Sequence, residues 1–246
     1  MARMRKTPPR PPTADSLAEY RAKRDFERTP EPAGSAKASP SAQHGQELYF
    51  CVHKHLASTL HYDFRLESAG VLLSWAVPKG PSLNPKDKRL AMHVEDHPLD
   101  YGSFEGVIPE GYGMGIVMLW DRGTWRPDEK TPDVAQAIEK GELKFHLDGA
   151  KLKGQWALVR TRGSMYGAGA KDSWLLIKKR DEWAGEVDIT QFAPLSIKSQ
   201  RDFPEILAEE SPEIWQSHEP TKGGAIGKLL KQVIQQAAQQ KTWQKR

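Results

Sequence analysis

The chain has 246 residues and a net charge of +4, and 38% of its residues are apolar. With a mean hydropathy of −0.66, part of the chain is expected to lie outside any core. No apolar run is long enough to span a membrane, and the N-terminus lacks the apolar stretch of a secretory signal. A single cysteine, Cys51, excludes a disulfide framework and a cysteine-rich zinc module. We therefore expect a cytoplasmic protein with one domain plus tails.

The first 48 residues form a proline-rich arm. Seven prolines fall there, and such a stretch buries too little apolar surface to offset its chain entropy, so we expect it to be partly disordered. Within it, residues 16–26 have the pattern of a short helix. At the other end, residues 194–246 are predicted to be a polar and then basic extension, with an amphipathic helix over Ile226–Ala238.

Residues 49–193 carry the pattern of a β domain. Alternating or continuous apolar stretches, punctuated by Gly, Pro or Asp, occur at Leu60–Leu66, Val71–Val77, Leu90–Val94, Ile116–Trp120, Leu143–Leu147, Trp156–Val159 and Trp174–Ile177. Many short strands separated by turn signals predict a sandwich or barrel. A helix is expected only near Pro132–Lys140. The predicted fold class is mainly β, a closed or nearly closed β-barrel with a few short helices.

The predicted strand Leu60–Leu66 has one apolar and one polar face. Because side chains alternate along a strand, His61, Asp63 and Arg65 share a face, with Glu67 next in the same parity. Five of the eight histidines lie within residues 53–97, and His55 is the nearest one upstream. Two imidazoles and one carboxylate suit Mn, Fe or Zn. The sequence predicts a divalent metal site here.

Cations and a second strand extend this pattern. The stretch Leu90–Val94 predicts a strand with Leu90, Met92 and Val94 inward. Its other face would carry Arg89, His93 and Glu95, with His97 next in the same parity. Lys79 is held between two prolines in a turn. A metal flanked by Arg65, Lys79 and Arg89 is suited to phosphoryl chemistry, and His97 and Tyr101 could donate protons or hydrogen bonds to a phosphate.

Several long blocks of sequence resemble a known family. HKHLASTLHYDFRLE, SWAVPKGPS, KRLAMHVEDHPLDYGSFEGVIPEG and VMLWDRGTW resemble the phosphoesterase domain of bacterial DNA ligase D, and EYRAKRDFERTPEPAG resembles the arm that precedes it. LKGQWALVRTR and SWLLIKKRDEWA resemble its later strands. The resemblance runs from about Ser16 to Ala193.

The resemblance implies a manganese-dependent 3′-phosphoesterase on a β-barrel. Such an enzyme removes a terminal 3′-ribonucleoside and then a 3′-phosphate from a primer strand, leaving a 3′-hydroxyl for end-joining repair. By resemblance, the metal ligands are His55, His61 and Asp63. The phosphate-contacting and catalytic positions are Arg65, Lys79, Arg89, His97 and Tyr101, with Glu95 in support. Arm residues Arg24, Asp25 and Glu31 match positions of the ribonucleoside-removing step.

The resemblance also sets expectations about partners. The partners would be primer–template 3′ ends and no membrane, with location at the prokaryotic nucleoid. No polymerase or ligase region is seen, so coupling to a DNA ligase, a polymerase or an end-binding repair protein would occur in trans. Two features depart from the family pattern: His53 stands where glutamine is expected, and residues 108–115 are one residue shorter.

Two alternative functions remain open from the residues. A non-haem Fe(II) oxygenase would use the same two histidines and carboxylate, and dependence on oxygen and a keto acid would reveal it. A non-catalytic DNA-end-binding module would be expected to have lost a metal ligand, and none is lost.

Overall fold

The computed structural model describes residues 16–23, 48–108, 113–161 and 173–207. Within these ranges, nine antiparallel strands form one sheet. The strands are β1 (Leu48–Leu56), β2 (Leu60–Ser68), β3 (Val71–Val77), β4 (Arg89–Pro98), β5 (Gly106–Ile108), β6 (Gly115–Pro127), β7 (Glu142–Gly149), β8 (Lys153–Arg160) and β9 (Ser173–Lys178). Every stretch that the sequence predicted as a strand lies in one of them.

Eight of these strands close into a barrel. The order is β1, β2, β3, β4, β9, β8, β7, β6, and β6 pairs again with β1. The short β5 pairs with the first residues of β6 beside the ring. The predicted closed, mainly β barrel is confirmed.

The described ranges also contain five short helices. They are α1 (Ala18–Ala22), a 3₁₀ helix (Leu99–Ser103), α2 (Val134–Lys140), α3 (Ile189–Phe192) and α4 (Phe203–Leu207). The predicted helix near Pro132–Lys140 is confirmed as α2. The Asp133 carboxylate accepts from the Gln136 N–H at 2.9 Å, and Gly141 ends the helix in the left-handed region at φ 82°. No helix of the described ranges is long and apolar enough to cross a membrane.

The barrel interior is an aromatic-rich core to which every ring strand contributes. Its members include Phe50, Phe64, Trp75, Ala91, Trp120, Phe145, Trp156 and Trp174. Full burial of one such large side chain stabilises the folded protein by roughly 1.5–3 kcal/mol, compared with leaving that side chain exposed. The interior is filled by side chains, so the polar groups of the predicted site must lie on the outer face.

The ladder between β1 and β2 sorts the two faces as predicted. Phe50 lies opposite Leu66 and Val52 opposite Phe64 on the interior face. His53 lies opposite Asp63, and His55 opposite His61, on the outer face. Tyr101 of the 3₁₀ helix covers part of this face by packing against His53 and Arg65.

The predicted facing of β4 is wrong. Ala91 lies opposite Trp174 and His93 opposite Trp75, and directly opposed residues share a face. Ala91 and His93 therefore point to the interior side, where the His93 ring lies 5.0 Å from the Trp75 ring and 6.4 Å from the Trp174 ring. Met92 and Val94 lie half-buried on the outer face.

A register shift in the β3–β4 ladder then changes the parity of β4. Ser74 pairs with Val94, but Leu72 pairs with His97, so β4 carries one residue more than β3 between these points. The shift moves His97 to the outer face, while Arg89, opposite the core residue Leu176, keeps the interior parity. His97 and Arg89 do not share a face.

The chain after residue 193 packs on the barrel as far as Leu207. Phe203 and Ile206 of α4 join the interior core, and the Ser196 hydroxyl donates to the buried Glu105 carboxylate at 2.5 Å. The predicted helix Ile226–Ala238 lies outside the described residues.

Candidate metal centre and phosphate site

The three predicted metal ligands converge on the outer face of the β1–β2 ladder. His55 Nδ1 lies 3.6 Å from one Asp63 oxygen, and His61 Nε2 lies 3.6 Å from the other. One ligand atom from each residue falls within 4.8 Å of the others. Two neighbouring strands supply this arrangement because His55 and His61 are directly opposed and Asp63 is two residues along the same face.

The hydrogen bonding of His61 suits a cation between these groups. Its Nδ1 lies 3.0 Å from the Thr59 carbonyl, which can only accept, so Nδ1 carries the proton. Burial, the largest influence, lowers the pKa of His61, so the ring is neutral and Nε2 presents a lone pair to the Asp63 carboxylate. Two acceptors that face each other are stabilised by a shared cation. The donor set and its arrangement fit Mn²⁺ or another divalent transition metal.

Arg65 keeps the Asp63 carboxylate ionised. Burial alone would raise the pKa of Asp63, but the Arg65 charge, together with a hydrogen bond from His55, outweighs burial and holds that pKa well below its usual range. The guanidinium is 3% exposed and donates to Asp63 at 3.2 Å and to the Ser74 hydroxyl at 2.6 Å. Ser74 donates in turn to the Leu72 carbonyl at 2.9 Å. Arg65 is thus fixed beside the metal ligands.

Tyr101 and His97 extend the site away from the metal ligands. The Tyr101 ring lies 5.1 Å from the Arg65 guanidinium carbon and 5.0 Å from the His97 ring. His97 Nδ1 lies 2.9 Å from the Glu95 backbone carbonyl, so this nitrogen is the donor and Nε2 is the basic nitrogen. Successive contacts therefore join four residues of the site in one continuous row: Asp63, Arg65, Tyr101 and His97.

His53 lines the same site as a neutral group. It is fully buried, and its ring meets the edge of Tyr101 at 5.7 Å. Burial first, and then the Arg65 charge, lower the pKa of His53 to about 3. At neutral pH the His53 imidazole is therefore uncharged in either of its tautomers.

Residues 53–160 match the sequence model of the DNA Ligase D 3′-phosphoesterase domain. The matched stretch runs from β1 through β8 and contains the three ligands, Arg65, His97 and Tyr101. Residues 53–160 belong to this domain family.

Relatives of this chain carry the domain inside longer proteins. The chain is 50% identical over 194 residues to the multifunctional non-homologous end joining protein LigD of Pseudomonas aeruginosa, which covers 77% of this chain and 22% of that protein. It is 42% identical over 181 residues to the multifunctional non-homologous end joining DNA repair protein LigD of Mycobacterium tuberculosis. That match covers 72% of this chain and 22% of the mycobacterial protein. The chain thus spans less than a quarter of the length of these relatives.

The sequence also predicts Lys79, Arg89 and Glu95 as phosphoesterase residues. Lys79 follows β3 and is exposed. Arg89 donates to the Asp87 carboxylate at 3.0 Å and stands on the interior parity of β4. Glu95 is buried, and its carboxylate pairs with Lys23 of the arm at 3.2 Å. The roles assigned to these residues stay predictions.

The arm residues Arg24, Asp25 and Glu31 lie outside the described residues, as do positions 109–112 of the shortened loop. Their predicted roles in substrate handling and strand placement remain predictions.

Sequence reasoning missed Ser74, Tyr20 and Lys23. Ser74 is the one polar residue in the apolar run VLLSWAV, and a buried hydroxyl in such a run needs a partner. This isolated hydroxyl could have identified Ser74 as a residue of interest from the sequence alone. Tyr20 and Lys23 carry no comparable local signal, because the residues that link them to this site, His97 and Glu95, lie more than 70 positions away along the chain.

Proposed function

We propose that this protein is a metal-dependent 3′-end-processing phosphoesterase that removes 3′-terminal ribonucleosides and 3′-phosphates from nucleic acid. The observation that carries the proposal is the outer-face row, in which three converging metal ligands stand beside a buried, doubly tethered arginine. The match of residues 53–160 to a phosphoesterase domain supports the same reaction class.

His55, His61 and Asp63 would hold the ion. A divalent metal bound there would polarise a phosphoryl oxygen and lower the pKa of a water. Arg65 presents a planar fork of donors, and its bonds to Asp63 and Ser74 fix that plane before substrate arrives. In this proposal it binds two nonbridging phosphate oxygens and stabilises the charge that they carry in the transition state.

His97 would handle the proton of the leaving oxygen. With Nδ1 bonded to the Glu95 carbonyl, Nε2 is the nitrogen that exchanges a proton with substrate. The Tyr101 ring lies between Arg65 and His97 and keeps both at a set separation. The ring-edge contact of His53 on Tyr101 adds to this wall of the site.

The proposed substrate is a primer–template end, as the end-joining names of the relatives suggest. A DNA ligase, a polymerase or an end-binding repair protein would act on the resulting 3′-hydroxyl. Removal of a 3′-ribonucleoside also requires that nucleoside to be held, and Arg24, Asp25 and Glu31 are the proposed groups for it.

The test uses purified protein, freed of metal by chelation, and a 5′-labelled primer–template that ends in a 3′-phosphate or a 3′-ribonucleoside. We expect conversion to the 3′-hydroxyl product only when Mn²⁺ or a similar divalent ion is added back. Asp63→Ala should remove this activity, whereas Asp100→Ala, which alters an exposed carboxylate of the 3₁₀ helix, should retain it. Absence of product with every divalent metal tried would refute the proposal.

A further inference from the structure

The arm helix α1 is docked on the barrel through a fully buried tyrosine. Tyr20 is 0% exposed although its helix has only five residues. Leu17 and Tyr20 pack against Val71, at the start of β3. So short a helix is not stable alone, and its position is set by these tertiary contacts.

The Tyr20 ring contacts the His97 ring. Their centroids lie 5.3 Å apart with an interplanar angle of 58°. Tyr101 meets the same imidazole at 5.0 Å and 63°. The His97 ring therefore contacts two tyrosines, one from the 3₁₀ helix and one from the arm.

A second link joins α1 to the residue that holds His97. Lys23, which caps the end of α1, pairs with the Glu95 carboxylate at 3.2 Å, and that carboxylate is 3% exposed. The Glu95 carbonyl is the group bonded to His97 Nδ1. The arm thus contacts both the ring and the backbone segment that fixes the ring's tautomer.

We propose that Tyr20 is a positioning residue that holds the His97 imidazole in its working orientation. The inference rests on the proposed function for its kinetic consequence. It gives α1 a role in hydrolysis of a 3′-phosphate itself, in addition to any role of the arm in holding a ribonucleoside. Misplacement of a reacting group by about 1 Å can cost ~100-fold in rate.

The kinetic test compares three variants on a 3′-phosphate primer end with Mn²⁺. Tyr20→Leu keeps apolar bulk but removes the ring, and we expect kcat to fall roughly 10- to 100-fold, with KM within about two-fold and Mn²⁺ affinity unchanged. Tyr20→Phe retains the ring and should restore kcat to within about three-fold of wild type. Leu17→Ala is the matched control, because it trims the apolar packing of α1 around Val71 and leaves the Tyr20 side chain itself unchanged.

Two kinetic outcomes overturn the inference. Tyr20→Leu could keep kcat within two-fold of wild type, which would show that the ring contact does not orient His97. Leu17→Ala could lose as much activity as Tyr20→Leu, which would assign the effect to docking of the arm as a whole.

A readout that needs no activity separates this inference from the proposed function. NMR of protein labelled with ¹³C and ¹⁵N in histidine should show His97 as the Nδ1–H tautomer with a nuclear Overhauser contact to the Tyr20 ring. Tyr20→Leu should shift the His97 ring resonances and alter its tautomer ratio, and Leu17→Ala should leave both near wild type. Unchanged His97 signals in Tyr20→Leu overturn the inference. An inactive wild type with the expected His97 signals would instead refute only the proposed function.

Discussion

Replacing Ser74 with alanine should reveal how tightly Arg65 is held. The Ser74 hydroxyl is fully buried, accepts from the Arg65 guanidinium at 2.6 Å and donates to the Leu72 carbonyl at 2.9 Å. Alanine removes the oxygen and leaves little extra space, so the cost comes from the groups that lose their partner. One is a donor of a guanidinium that is only 3% exposed.

The expected magnitude follows from this burial. A buried donor or acceptor left without a partner costs ~1–3 kcal/mol, with charged groups at the upper end. For a domain of this size, each kcal/mol lowers the melting temperature by roughly 2–4 °C. A loss of about 2 kcal/mol should therefore lower Tm by roughly 4–8 °C. The guanidinium keeps only its bond to Asp63, so we also expect kcat/KM on a 3′-phosphate end to fall about 10-fold or more.

The assay pairs thermal unfolding with initial rates. Ser103→Ala is the matched control, because Ser103 is exposed and donates only to the Asp100 carbonyl at 3.3 Å. It should change the free energy of unfolding by no more than about 0.5 kcal/mol. In an Arg65→Leu background, Ser74→Ala should cost clearly less than in wild type, because the donor that it strands is gone. A Ser74→Ala variant that melts within 1 °C of wild type and retains kcat/KM within two-fold would refute the reasoning.

Three further predictions test the ligand set, the arm and a buried acid. Asp63→Asn should abolish Mn²⁺ binding in calorimetry, whereas His97→Ala should bind Mn²⁺ like wild type yet lose activity; loss of binding in His97→Ala would move that residue into the ligand set. Arg24→Ala and Glu31→Ala should slow ribonucleoside removal much more than 3′-phosphate removal in side-by-side rate measurements, and equal loss on both would contradict their proposed role. Burial, opposed by three backbone N–H donors, raises the pKa of Asp121 to about 6. A carboxyl with a raised folded pKa stabilises most below its unfolded value near 4, so the free energy of unfolding should fall by about 2 kcal/mol as the pH rises from 4 to 7. Urea unfolding of Asp121→Asn should lack this slope, although the variant should be less stable overall because its amide would face a backbone N–H.

The sequence by itself determined the strands, the closed barrel and the common face of the three candidate metal ligands. Alternation in Leu60–Leu66 placed Asp63 and Arg65 on one face, and the same parity put His55 on the matching face of β1. These inferences succeeded because side-chain alternation is a local property with a period of two. The matched family then agreed with the reaction class that these residues suggested.

Only the tertiary structure decided which other groups join them. The extra residue in β4 is fixed by its pairing with β3, so no pattern within Leu90–Val94 could show that His97 lies on the outer face while His93 lies on the interior side. The contact of Tyr20 with His97 and the bond of Ser74 to Arg65 likewise join residues that are distant or separated by a turn. A register shift or the docking of a helix depends on contacts with residues that are distant in the sequence. It therefore cannot be predicted from the sequence of the local segment alone.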